Sequence, residues 1–222
     1  MKTAIVTGAS KGVGYQTCKA LSRNGYRVIA LSRNIEKMKS LLSENIEIYQ
    51  IDITNFVEIK KFFEKYKDIN LDLLVNNAGG GSSPTQIINE SPENFNYAYS
   101  LNVSGPMYLS KLFTENLSRS KNPTIIFVSS LGGKFPYYGG GNYTNAKRGI
   151  GGLVDTMRLE YPSYGIKITE ICPGTIDTVD GEKRDIAITA EDMAGAIVWI
   201  AELPRHVNIN YLEINHILSR KA

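Results

Sequence analysis

Charge of one sign is what this chain has least of. Its 222 residues carry a formal net charge of only +3, and no basic run exceeds two residues. That balance argues against nucleic acid or a membrane surface as a partner. Cysteine is nearly absent too. Cys18 and Cys172 stand far apart, which fits buried thiols in a reducing compartment rather than a disulfide framework. The two histidines, His206 and His216, are too few and too isolated for a metal site, so no metal is expected. Long apolar runs are missing as well, and none approaches a membrane span. MKTAIVTG leads into a strand pattern and a glycine turn, not a secretory leader, so a cytoplasmic protein is expected.

What is present is alternation. Apolar runs over 3–8, 27–33, 46–53, 71–79, 124–130, 166–174 and 211–218 read as strands. Segments of helical period separate them. The first covers 13–25 and stops at Gly25. Asn34 caps a second, with Ile35, Met38, Leu41 and Leu42 on one side. A third carries Val57, Ile59, Phe62, Phe63 and Tyr66. Ser91-Pro92 opens a long helix through Asn102 toward Leu117, bent at Gly105-Pro106. Residues 143–160 form another, and Thr189 caps the last, through Met193, Ile197, Val198 and Ile200. Such alternation implies an α/β fold: a doubly wound parallel sheet of about seven strands with helices on both faces, one domain over 1–222.

The first strand-to-helix turn reads TGASKGVG, with Gly8, Gly12 and Gly14. Glycines let backbone approach a ligand closely, and the following helix N-terminus offers free N–H groups to a pyrophosphate. The second strand ends in Leu31-Ser32-Arg33-Asn34, with no acid for the ribose hydroxyls of NAD. Arg33 is a fork donor suited to a 2′-phosphate, and Lys11 can approach the same group. NADP(H) is the expected cofactor. Further on, Tyr143 and Lys147 lie four residues apart on one helix face, as do Tyr15 and Lys19. Spacing alone does not separate the two pairs.

Order along the chain does. TGASKGVG, Asp52-Ile53, NNAG (76–79), Asn102-Val103-Ser104-Gly105, Ser129-Ser130, Tyr143-x-x-x-Lys147 and Pro173-Gly174-Thr175-Ile176-Asp177-Thr178 follow one another over roughly residues 3–218. In that order they resemble the short-chain dehydrogenase/reductase family, which implies a Rossmann fold and hydride transfer between nicotinamide and a carbonyl or alcohol carbon. The resemblance makes Asn102, Ser130, Tyr143 and Lys147 the catalytic set, with Ser130 preferred to Ser129 by its spacing from Tyr143. It gives the cofactor Gly8, Ser10, Lys11, Gly12, Val13, Gly14, Ser32, Arg33, Asn34, Asp52, Ile53, Asn77, Ala78, Gly79, Pro173, Gly174, Ile176 and Thr178, besides Tyr143 and Lys147. YTNAK departs from the family's frequent Y-x-A-S-K, with Asn145 and Ala146 at the small positions.

In the family's mechanism Tyr143 exchanges a proton with the substrate oxygen, which Ser130 holds. Asn102 anchors a water behind Lys147, and Lys147 also binds the nicotinamide ribose. A lysine about 6 Å along the helix is worth roughly 3 kcal/mol at an effective dielectric of ~20. That equals about two pK units toward phenolate for Tyr143.

The tail LPRHVNINYLEINHIL is similar to that of a subgroup acting on 3-hydroxy acids, serine-like alcohols and related aldehydes or ketones. The substrate is placed over the loop 178–190, where Lys183 and Arg184 could meet an anion, and beside Tyr137, Tyr138 and the glycines 139–141. The expected function is an NADPH-dependent oxidoreductase of a small carbonyl or alcohol. Alternatives are a 3-oxoacyl-thioester reductase and a non-catalytic NADP-binding sensor or scaffold. The resemblance also implies a homodimer or homotetramer, built on helices 92–117 and 143–160 and strand 211–218.

Overall fold

Strands apolar on both faces belong in the middle of a sheet covered on both sides, and Ala4-Ile5-Val6 is such a run. In the computed structural model, which describes residues 1–81, 85–177 and 185–219, that run lies in β1 (Lys2–Thr7). β1 pairs with β2 (Tyr26–Ser32) on one side and β4 (Leu73–Asn76) on the other. β3 (Ile46–Gln50), β5 (Thr124–Val128), β6 (Lys167–Pro173) and an edge strand β9 (Tyr211–Ile214) complete the sheet. The seven strands run in the order β3-β2-β1-β4-β5-β6-β9, every pairing parallel. The order reverses beside β1, so the crevice at the strands' C-terminal ends is where such sheets bind ligands.

Each face of the sheet has its own core. On one, α1 (Gly12–Arg23) and α7 (Ala190–Glu202) bring Cys18, Leu21, Met193, Ile197 and Ile200 onto Ala4, Val6, Val28 and Ala30. On the other, α2 (Phe56–Tyr66), α4 (Gly105–Leu112) and α6 (Gly141–Glu160) bring Ile59, Phe62, Leu109, Ile150 and Val154 onto Ile5, Ile29, Leu74 and Phe127. Both cysteines are buried and free. The Thr189 cap is a full capping box, closed by Asp192.

Several elements differ from the sequence reading. After Asn34 the chain forms a 3-10 helix, Glu36–Leu41, not an α-helix. Asn34 Oδ1 still accepts from Lys37 N at 3.1 Å, but Leu42 turns out to solvent. Strand pairing ends at Gln50 in β3, at Val128 in β5 and at Ile214 in β9, so 51–53, 129–130 and 215–218 are loop. A two-residue ribbon, β7 (Ile176–Asp177) beside β8 (Ile188–Thr189), was not anticipated.

The long helix is broken twice. α3 (Pro92–Tyr99) passes into a wide π-turn at Ser100–Ser104, α4 follows, and α5 (Thr114–Ser118) starts after Phe113. The disturbance precedes Gly105-Pro106 rather than sitting on it. Pro106 has no N–H to give the carbonyl four residues back, and the Gly105 N–H bonds to Ser100 O instead. This adds a residue to the turn that carries Asn102, a common way to re-aim a side chain at a functional site.

Candidate active site

The mouth of the site begins at the β1–α1 turn. A Cβ on Gly14 would sit 2.3 Å from Gly8 O, so the helix can start this close to the turn only with glycine there. The N-terminus of α1 has no side-chain cap and no acid in its first turn, which leaves its positive end to an incoming anion. Thr7 ties this turn to the next: its Oγ accepts from the N–H groups of Asn77 and Ala78 at 3.0 and 2.9 Å. Asn77 Nδ2 returns a bond to Thr7 O at 2.8 Å.

The acidic position after β3 is held in the same manner. Asp52 Oδ1 accepts from the backbone N–H and the hydroxyl of Thr54 at 2.9 and 2.8 Å, which fixes the carboxylate beside Ile53. At the end of β2, Gln50 Nε2 donates to Arg33 O at 3.1 Å.

The other end assembles around Gly79. A Cβ there would meet Lys147 Nζ at 2.7 Å and Asn102 Oδ1 at 2.8 Å. Only a glycine lets the lysine, from α6, and the asparagine, from the π-turn, converge on this loop. Asn102 is 1% exposed. Its Nδ2 donates to Gly80 O at 2.7 Å and Ala98 O at 2.8 Å, while Oδ1 accepts from Gly80 N at 3.3 Å.

Lys147 Nζ donates to Val128 O at 3.0 Å and stands 5.8 Å from the centre of the Tyr143 ring. Burial lowers its pKa to about 8, against the carboxylate of Glu170 on β6, which favours the charged form. Ser130 Oγ accepts from Gly132 N at 3.1 Å and is hydrogen-bonded to Tyr143. Ser129 faces away, its Oγ donating to Lys147 O at 3.3 Å.

The electrostatics correct one expectation. Burial raises the Tyr143 pKa, and the downward influence comes from the Ser130 hydrogen bond, not from Lys147. The lysine donates to Val128 O and stands against Gly79, and burial weakens its own charged form.

Most of these residues line one cleft of about 1140 Å³. It runs from Arg33, Asp52 and Ile53 past Gly8, Ser10, Lys11, Gly12, Val13, Asn77, Ala78 and Gly79 to Ser130 and Tyr143. Pro173, Gly174 and Ile176 close one side, and Phe135 and Tyr137 stand at the reacting end. Ser32 also lines it, whereas Asn34 does not: its side chain is spent on the 3-10 turn. Gly14, Asn102 and Lys147 lie just behind the wall. Tyr138 points to solvent. Thr178, Lys183 and Arg184 fall outside the described residues.

The competing pair, Tyr15 and Lys19, is structural. Tyr15 bonds Ser40 Oγ at 3.0 Å and Lys19 stacks on its ring. No group of His, Cys, Asp and Glu among the described residues could hold a metal, and no described helix is long and apolar enough to cross a membrane.

The sequence reading missed several cleft residues. Leu101 and Leu131 are apolar wall; Glu213 and Asn215 bring polar groups from the tail to the reacting end. It also missed Glu90, whose Oε2 accepts from Asn142 N at 3.3 Å at the start of α6. A carboxylate there complements the helix dipole, but nothing in its local sequence connects it to a helix 50 residues on.

A nucleotide-sized cleft at the switch point, floored by a glycine turn and an uncapped helix, with a serine, a tyrosine and a lysine at its far end, defines an α/β oxidoreductase. The family model for short chain dehydrogenase matches residues 2–186, and the chain belongs to that family. Among curated proteins, the NADP-dependent 3-hydroxy acid dehydrogenase YdfG of Escherichia coli is 29% identical, over 95% of this chain and 93% of that one. An alcohol dehydrogenase from the archaeon Thermococcus sibiricus, solved with 5-hydroxy-NADP, superposes with a TM-score of 0.89 at 25% identity. That match covers 100% of this chain and 99% of the other. A serine dehydrogenase solved in a closed form with NADP+ gives 0.91 at 27% identity, covering 99% and 97%.

The buried lysine carries a signature of its own. The folded protein binds fewer protons at Lys147 than the unfolded chain between about pH 8 and 10.5, so this group makes stability rise with pH across that window. Below pH 8 its burial costs up to about 3 kcal/mol. Lys147→Met is expected to raise the melting midpoint below pH 8, with the gain fading toward pH 10.5. Thermal melts across pH check this, and a gain that does not shrink with pH contradicts it.

Proposed function

We propose that this chain is an NADPH-dependent oxidoreductase that interconverts a small carbonyl compound and its alcohol, with Tyr143 as the proton donor and acceptor. The observation that carries the reading is the convergence of Ser130, Tyr143, Lys147 and Asn102 at one end of a cleft whose other end carries Arg33. A scaffold that only binds a nucleotide has no use for the first end.

The cleft suits the cofactor. The α1 N-terminus and the Gly8–Gly14 turn would receive the pyrophosphate, Asp52 and Ile53 the adenine, and Arg33 with Lys11 the 2′-phosphate. Gly79, Pro173, Gly174 and Ile176 flank the space for the nicotinamide half. Bound NADPH supplies the hydride.

The chain's own groups manage the oxygen. Ser130 Oγ, its lone pair steered by Gly132 N–H, orients the substrate oxygen and stabilises charge on it. The Tyr143 phenol gives that oxygen a proton in reduction and takes it back in oxidation. Its raised pKa suits the donor direction at neutral pH. Lys147 spends one N–H on Val128 O and keeps the others for the nicotinamide ribose and a water. Both amide hydrogens of Asn102 are engaged, so only its oxygen remains to hold that water.

For the substrate we favour a small hydroxy acid, aldehyde or ketone. Support comes from the tail's similarity to enzymes of that class, and from the curated and structural relatives named for 3-hydroxy acids, alcohols and serine. A homo-oligomer is part of the reading: Leu159 on α6 is 85% exposed and Ile217, after β9, is 93% exposed, apolar surface on the expected interface segments that further copies would cover. Light scattering at assay concentration should return a dimer or tetramer, and a clean monomer removes that part.

Tyr143→Phe tests the chemistry. It should lower turnover of a good substrate by about a hundred- to ten-thousandfold while NADPH binding, followed by fluorescence, is retained. Near-wild-type turnover in that variant would refute the mechanism.

A further inference from the structure

Arg33 makes an unexpected contact. Its Nη1 donates to the phenol oxygen of Tyr97, 64 residues away, at 2.6 Å. The guanidinium carbon is 6.0 Å from the ring centre, so the group sits at the hydroxyl end of the ring rather than flat on its face. No carboxylate pairs with Arg33 among the described residues. The arginine backbone is held separately, by Gln50, so it is the side chain that Tyr97 positions.

The location matters. Arg33, Asp52 and Ile53 line the adenosine end of the cleft, and so does Leu101, one helical turn beyond Tyr97. The hydrogen bond from Arg33 places Tyr97 of α3 at the rim of that end. The contact therefore spans from the tip of β2 to α3 beside the place where a 2′-phosphate would sit.

The donor arithmetic favours a clamp. A guanidinium has five N–H donors. One rests on Tyr97, which leaves the Nε–Nη2 edge open for a bidentate grip on a phosphate. Tyr97 uses only an oxygen lone pair in this contact, so its own O–H remains available to the same anion. A loose arginine must lose rotamer freedom on binding, and one already held loses less.

We infer that Tyr97 is a specificity-determining residue for the 2′-phosphate, fixing the Arg33 guanidinium at the cleft rim and adding its own hydroxyl to the grip. This rests on the reading of Arg33 as the 2′-phosphate ligand. Tyr97 is distinct from the motifs that carry the family resemblance, and it discriminates between the two nicotinamide cofactors without touching the reacting atoms.

The test uses adenosine 2′,5′-bisphosphate and 5′-AMP as probes, titrated calorimetrically into the wild-type protein, Tyr97→Phe, Tyr97→Ala and Arg33→Ala. Tyr97→Phe keeps the ring and removes the acceptor. It should weaken the bisphosphate roughly three- to tenfold and leave 5′-AMP unchanged, with an unaltered melting midpoint. KM for NADPH should rise by the same factor at constant kcat, and KM for NADH should not move. Tyr97→Ala should do at least as much. If Tyr97→Phe binds both probes like wild type while Arg33→Ala loses its preference for the bisphosphate, the inference fails and the Arg33 reading stands. If Tyr97→Phe weakens both probes equally, the residue shapes the groove without selecting phosphate, and the inference again fails. If Arg33→Ala keeps the full preference, the underlying reading fails and takes the inference with it.

Discussion

The site depends on one missing side chain. At Gly79, any Cβ would occupy the space that Lys147 Nζ and Asn102 Oδ1 fill from opposite sides. Three separate pieces of chain meet there: the loop after β4, the π-turn after α3 and the first turns of α6. The β4 loop is anchored to the glycine turn by Thr7, so the same backbone that borders the phosphate end also seats the lysine. Position at one end of the cleft is thereby coupled to position at the other.

Burial then sets the chemistry. A lysine 5% exposed is costly to charge, and the chain offsets that cost with Val128 O and the nearby Glu170 carboxylate rather than with a direct salt bridge. A tight ion pair would hold the ammonium away from any ligand. The phenol of Tyr143 is half-buried, with Ser130 favouring its ionised form and the lysine Nζ 5.8 Å from its ring centre. On the mechanism proposed above, the pair is tuned as a donor with a proton reserve behind it, not as a standing phenolate. Helix spacing and Coulomb's law alone would instead have lowered the phenol pKa. Distance along an axis says nothing about which way a flexible ammonium turns.

Much of the fold was legible because its causes are local. Double-sided apolar runs gave the parallel strands, Thr189 gave the last helix start, and Gly25, at φ 79°, closed the first helix. Where the reading failed, the cause was non-local or depended on a hydrogen-bond partner. Asn34 could cap either an α- or a 3-10 helix, and the segment forms a 3-10 helix with Met38 and Leu41 buried. The tail beyond Ile214 is apolar enough for a strand, but β9 is an edge strand and its pairing with Pro173 ends there. Of the candidate site, the glycine turn, the Tyr143–Lys147 pair and Asp52 were visible as spaced motifs. Thr7 was visible as the first residue of the glycine motif, but its bonds to Asn77 and Ala78 were not; Glu90 and Tyr97 were not visible at all, because each works through a partner at least 50 residues distant and has no pattern of its own.

The reacting end pairs the aromatic Phe135 and Tyr137 with polar groups of Glu213 and Asn215 entering from the tail. The central claim is that this cleft moves hydride and proton to a small carbonyl. Its most direct test is NADPH oxidation by the wild-type protein across a panel of small keto acids, aldehydes and ketones, followed by the loss of reduced-nicotinamide absorbance. The account predicts turnover of at least one member, with the alcohol formed in equal amount to the NADPH consumed. Tight NADPH binding with no turnover of any member would contradict it and would mark the chain as a binder on an enzyme's fold.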